Sequence, residues 1–174
     1  MSLRIALAAA VLALLAACGG NGDDGAEPTT TTPAGQTTAT TGLDAEAAVL
    51  DAYRGFWAAY LAAGDPMDPA HPDLERFASG ASLERLRESL GQHFANGEVI
   101  RGTLELSPVV EQLGAETATV RDCYLDRTHL FDSTTGEQVD PEGEATFEVV
   151  ASLVLDGGSW KVTSLDQVGE GCER

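Results

Sequence analysis

The stretch Ala145-Thr146-Phe147-Glu148-Val149-Val150-Ala151-Ser152-Leu153-Val154-Leu155 decides the fold of this chain. Ala145, Phe147, Val149, Ala151, Leu153 and Leu155 alternate along it and fall on one face, the period-two signature of a strand with one side buried. Asp156-Gly157-Gly158 then turns the chain, and Trp160–Leu165 reads as the returning strand. Upstream, Thr117–Phe131 has the same period, with Ser133–Gly136 as its turn and Gly114-Ala115-Glu116 as the hairpin before it. Val99–Glu105 and Val109–Gln112 complete the set. Ser107-Pro108 interrupts them, because proline cannot donate to a ladder and belongs at an edge or a bulge.

Before Gly97 the period is helical. Val49, Tyr53, Phe56, Trp57 and Tyr60 recur at three- and four-residue intervals from Asp44 onward, and Gly64-Asp65-Pro66 ends the run. A short helix is expected from Pro69 or Pro72, presenting Leu74 and Phe77. A third is expected with Ser82 as its N-cap, carrying Leu83, Leu86, Leu90 and Phe94 to the stop at Asn96-Gly97. Helices followed by antiparallel strands in meander order define an α+β fold: three N-terminal helices on a mostly antiparallel sheet of four to six strands.

The N-terminus carries an address. Ile5–Ala17 is apolar but only thirteen residues long, too short for the roughly 20 residues that cross a bilayer. It closes on Leu15-Ala16-Ala17-Cys18, and residues 1–18 resemble a bacterial lipoprotein signal peptide. That resemblance implies cleavage after residue 17, a diacylated Cys18, and a cell-membrane anchorage on the extracytoplasmic face. An ordinary secretory signal with an incidental Cys18 is the alternative. Residues 18–42 are rich in Gly and Thr with Pro28 and Pro33, can bury almost nothing, and read as a disordered tether. Its root-mean-square reach is on the order of 27 Å. The folded domain is then residues 43–174.

The formal charge is −18, and Lys161 is the single lysine beside nine arginines. Such a surface repels nucleic acid and anionic headgroups, so the membrane is met through the lipid alone. With Cys18 assigned to the anchor, Cys123 and Cys172 remain in a compartment where disulfides persist, and they are expected to pair. A metal site is the rival reading, but no paired histidines stand at ligand spacing. The spacing is also not Cys-x-x-Cys, which disfavours a redox pair. His71, His93 and His129 are scattered and read as surface residues. The acids Asp132, Glu137, Asp140 and Glu142 lack the ligand spacing of a calcium loop. There is no Gly-x-Ser-x-Gly elbow and no phosphate-binding glycine loop, and no cofactor or metal is expected.

The order of these elements, with an aromatic-rich first helix and a last strand reading Gly157-Gly158-Ser159-Trp160-Lys161-Val162, resembles the nuclear transport factor 2-like superfamily. This group includes the SnoaL-like and ketosteroid-isomerase-like proteins. The resemblance covers about residues 43–172. It implies a strongly curved sheet wrapped around the helices as a cone-shaped α+β barrel with an apolar pocket. Another small α+β domain with helices on one sheet face is the rival. Carried onto this chain, the pocket would be lined by Tyr53, Trp57, Tyr60, Tyr124, Phe147 and Trp160, with Asp122 or Asp126 as its polar group.

Some enzymes of the superfamily use a carboxylate of raised pKa and a tyrosine donor for proton transfer. Asp122 is the weak candidate for that base here. Strict alternation from Val120 carries Asp122 and Tyr124 inward and Cys123 outward, whereas one bulge before Asp122 would reverse it. Aromatics at helical spacing are also ordinary core. The sequence therefore favours a non-catalytic, lipid-anchored domain that binds a small apolar ligand or an envelope protein. A pocket isomerase or dehydratase using Asp122 and a structural accessory module of a cell-envelope assembly are the alternatives.

Overall fold

The computed structural model describes residues 37–140 and 143–173, with side chains from residue 42 onward. The chain divides after Pro33, and all described residues belong to the second unit. The signal peptide, Cys18 and most of the tether lie outside them. No helix among the described residues is long and apolar enough to cross a membrane.

Among the described residues three helices lead: α1 (Thr37–Gly64), α2 (Pro72–Phe77) and α3 (Gly80–Asn96). The first begins inside the stretch assigned to the tether. Its opening threonines are indifferent helix formers, so no sequence signal for helix appears before Asp44. His71 caps α2, its Nδ1 accepting from the Asp73 N–H at 3.3 Å. The third helix starts earlier than expected. Ser79, not Ser82, stands at the N-cap, without a side-chain capping bond; its N–H donates to Val162 O at 2.9 Å, and Gly80 follows at positive φ. Ser82 is buried on the helix instead. Gly97, left-handed at φ 73°, ends α3 as Asn96-Gly97 forecast.

Seven strands follow: β1 (Glu98–Arg101), β2 (Leu104–Glu105), β3 (Val109–Leu113), β4 (Thr117–Asp126), β5 (His129–Asp132), β6 (Ala145–Asp156) and β7 (Ser159–Glu170). Five make one antiparallel sheet in which β4 pairs with β2 and β3 on one side and with β6 on the other, and β6 pairs with β7. The remaining two, β1 and β5, pair with each other. The sheet is not closed: β7 and the β2–β3 side are its two edges. The expected α+β arrangement of three helices on an antiparallel sheet of four to six strands holds, with five strands in the main sheet; the expected cone-shaped barrel is corrected, since this sheet stays open.

Two long strands of the sequence reading each break once, at the same level. Val99–Glu105 divides at Gly102-Thr103, and Thr117–Phe131 divides at Arg127-Thr128. The register nevertheless runs on, since Leu104 faces Asp126, the Arg127 N–H donates to Thr103 O at 3.0 Å, and Arg101 faces His129. The ribbon is bent rather than ended. Gly102 allows the bend: at φ 133° it brings its own backbone so close to Arg127 and Thr128 that any Cβ would overlap the Arg127 carbonyl.

The core lies between α1 and the inner face of the sheet. Val49, Tyr53, Phe56 and Trp57 pack on Val120, Val149, Ala151, Leu153 and Val162. The alternation read from Ala145–Leu155 holds at Val149, Ala151 and Leu153, while Leu155 emerges to 37% exposure beside the Gly157-Gly158 turn. A second cluster gathers Ala59, Ala63, Leu74, Leu90 and Ile100 among the helices and β1. Bulges in the pairings of β3 with β4 and of β6 with β7 add local twist and bend to the sheet.

Candidate functional site

Asp122 is the feature around which a site has to be judged. The bulge that the sequence left open falls on β3, between Val110 and Gln112, so β4 keeps strict alternation and carries Asp122 inward. It is 1% exposed. Its Oδ2 accepts from the Tyr53 hydroxyl of α1 at 3.0 Å, and its Oδ1 accepts from the Ser107 N–H at 2.7 Å. The second bond explains the gap at Ser107-Pro108. Where the edge ribbon loses its ladder, the carboxylate takes the place of a backbone acceptor. One side chain thus ties the first helix and the sheet edge to the central strand.

Around that tie the aromatic rings close on each other. Trp57 meets Tyr53 at 6.4 Å, Phe56 at 5.3 Å and Tyr60 at 6.0 Å between centroids, all edge-on. It also meets Tyr124 at 4.9 Å, and Tyr124 meets its cross-strand partner Phe147 at 5.6 Å. These are contact distances, so the rings pack on one another. Five of the six candidate lining residues are therefore brought together, as one stack. Trp160 stands apart, buried opposite Leu155 at the far, hairpin end of the sheet.

The phenols hold their protons. Burial, and then the charge of Asp122, push Tyr53 well above the usual range; burial and then Asp126 do the same to Tyr124. Burial and then Asp126 push Tyr60 up to about 12. The Trp57 indole N–H lies near enough to the Tyr53 oxygen to oppose the rise there, yet it closes no hydrogen bond of acceptable geometry. A raised phenol stabilises the fold fully below the unfolded value of 10, and that stabilisation drains away as pH climbs through the folded value. For Tyr60 the window is pH 10 to about 12. Unfolding midpoints measured across it should fall with rising pH, with tyrosinate absorbance appearing only as the protein unfolds. Tyrosinate formed in the native protein at pH 10 would contradict the packing.

On the outer face, Cys123 and Cys172 form a disulfide with a Cα–Cα distance of 6.0 Å. Beside it Arg121 donates to Glu111 at 2.5 Å and to Glu148 at 2.8 Å, crossing three strands. Sequence reasoning passed over this trio because its members are 10 and 27 residues apart and meet only through strand register. The histidines serve local structure: His71 caps α2, His93 pairs with Glu98 at 2.7 Å, and His129 meets Gln138 at 3.1 Å. Among the described residues no three His, Cys, Asp or Glu side chains converge as metal ligands. Asp132 holds its own turn, accepting from the Thr134 and Thr135 N–H groups, and these bonds lower its pKa.

The class that fold and site define is an α+β domain with three helices on an open antiparallel sheet and an interior aspartate engaged in structural hydrogen bonds. No family model and no curated protein matches the sequence. Among solved structures, the chain is similar to the intermembrane space region of the chloroplast protein ARC6. There the TM-score is 0.52 at 15% identity, covering 68% of this chain and 92% of that one. It is similar also to the Kfla4162 protein from Kribbella flavida, with TM-score 0.52 and 11% identity over 75% of this chain and 93% of the other. At such identities the likeness is one of fold.

Proposed function

We propose that this chain is a lipid-anchored domain on the extracytoplasmic face of the cell membrane, docking an envelope protein and performing no reaction of its own. The observation that carries the non-catalytic part is the engagement of Asp122, with the Tyr53 hydroxyl on one oxygen and the Ser107 N–H on the other. A general base has to reach a substrate proton within about 3 Å, and this carboxylate is buried beside the aromatic cluster with both oxygens engaged. A small apolar ligand would have to part Trp57 from Tyr124 to enter, which favours a protein partner on the surface. The nuclear transport factor 2-like reading is supported by three helices preceding hairpin-linked strands and by bulges that bend the sheet, which here remains open.

The address is supported by Leu15-Ala16-Ala17-Cys18 and by a disulfide of the kind that persists outside the cytoplasm. Fractionation with mass spectrometry tests it. The chain should appear with the membrane carrying acyl mass on Cys18, and Cys18→Ala should abolish that mass. An unmodified Cys18 in the mature protein overturns the anchor. Asp122→Asn tests the absence of chemistry: it should support the growth of a deletion strain as the parent does. Loss of that support by a folded, normally abundant variant would restore the proton-transfer reading.

A further inference from the structure

Every Arg and Lys side chain among residues 42–173 but one has a carboxylate within 4.0 Å. The exception is Arg85. Its Nε reaches only the Ala81 carbonyl of its own helix, at 3.5 Å. In a chain of formal charge −18, a guanidinium without an acid among the described residues is available for an anion from elsewhere. Arg85 also stands on the rim of a groove between α1, α3 and β7. The groove has Phe56, Leu86 and Leu165 as its apolar lining, Ser82 and Ser89 beside them, and a volume of about 210 Å³. That is smaller than the roughly 300 Å³ at which whole-ligand sites begin, and suits one side chain of something larger. A lipid acyl chain would overrun it. An apolar seat for one residue next to an unpaired cation matches the last residue of a polypeptide, where a side chain and an α-carboxylate leave the same Cα.

We propose that this groove captures the C-terminal residue of an envelope protein, with its apolar side chain on Phe56, Leu86 and Leu165 and its terminal carboxylate on Arg85. The assignment rests on the docking role argued above and names the anchor point for it.

The test uses the full chain, isotopically labelled, titrated with N-acetyl-Gly-Leu-Phe bearing a free C-terminus. The amides of Ser89 and Leu165 should shift saturably. The same peptide with an amidated C-terminus should bind at least about tenfold more weakly, as should the free acid to Arg85→Gln. The variant should keep the parent's melting temperature, since Arg85 supports no partner side chain. Equal binding of acid and amide, or no saturable shift, overturns the site. So does decanoate binding as tightly as the peptide, which would make the occupant a fatty acid. If an in-cell crosslink to an envelope protein persists undiminished in Arg85→Gln, the docking function stands and this groove is not where it happens.

Discussion

Asp122→Ala should lower the unfolding free energy by about 3 kcal/mol, the largest loss expected from a single polar side chain here. The substitution strips the acceptor from the Tyr53 hydroxyl, which is fully buried, and from the Ser107 N–H at the gap in the edge ribbon. An unmet buried donor costs about 1–3 kcal/mol, and the relief of removing a buried carboxylate offsets only part of the total. For a domain of this size the melting temperature should drop by about 10 °C. Asp122→Asn should cost less, because the amide keeps an acceptor for Ser107 and can donate to the Tyr53 oxygen. Tyr53→Phe should cost about 1–2 kcal/mol, and the cycle of both changes should show strong coupling. A fall of less than about 1 kcal/mol in Asp122→Ala would mean that the carboxylate is not a structural tie. Thermal unfolding of the three variants decides it.

The second large effect belongs to the disulfide. Cys123 and Cys172 are separated by 49 positions, and closing a loop of that length stabilises by about 4 kcal/mol in the chain-entropy account. Replacing both cysteines with serine should therefore lower stability by nearly that amount while leaving the native circular dichroism unchanged, since the bridge acts chiefly on the unfolded chain. Beyond the end of β7 at Glu170, the bridge joins a tail whose Gly171 N–H donates to Thr146 O at 2.9 Å and whose Glu173 is exposed. Denaturant titration with and without reductant measures the term. No difference between the two would show that the bridge does not constrain the folded protein's competitor states.

The helices, the hairpin turns and the inward face of Val149, Ala151 and Leu153 were legible because each rests on local chemistry: period, glycine, proline. The direction of Asp122 stayed open in the sequence, since Val120 as core carries it inward and a single bulge before it would have turned it out. The sequence did not disclose what the carboxylate does there. Its partners come from 69 and 15 residues away, and one of them is a backbone N–H with no side-chain signature. The split of the long strands was equally hidden. Gly102 marks it, but only the approach of Arg127 reveals why a glycine is needed. The filling of the interior was beyond reach for a different reason. Tyr53, Trp57, Tyr60 and Tyr124 are the residues either of a pocket wall or of a core, and ring-to-ring distance alone separates the two.

The structural engagement of Asp122 can be read from a single backbone amide. Native-state hydrogen exchange of the Ser107 amide tests it directly, because Ser107 lies outside any strand and its N–H donates to the Asp122 carboxylate at 2.7 Å. Ser107 should show protection approaching that of the neighbouring strand amides, and should lose it in Asp122→Ala under conditions where the fold persists. Exchange at the rate of an unstructured peptide in the unaltered protein would contradict it, and would return Asp122 to the list of groups free to do chemistry.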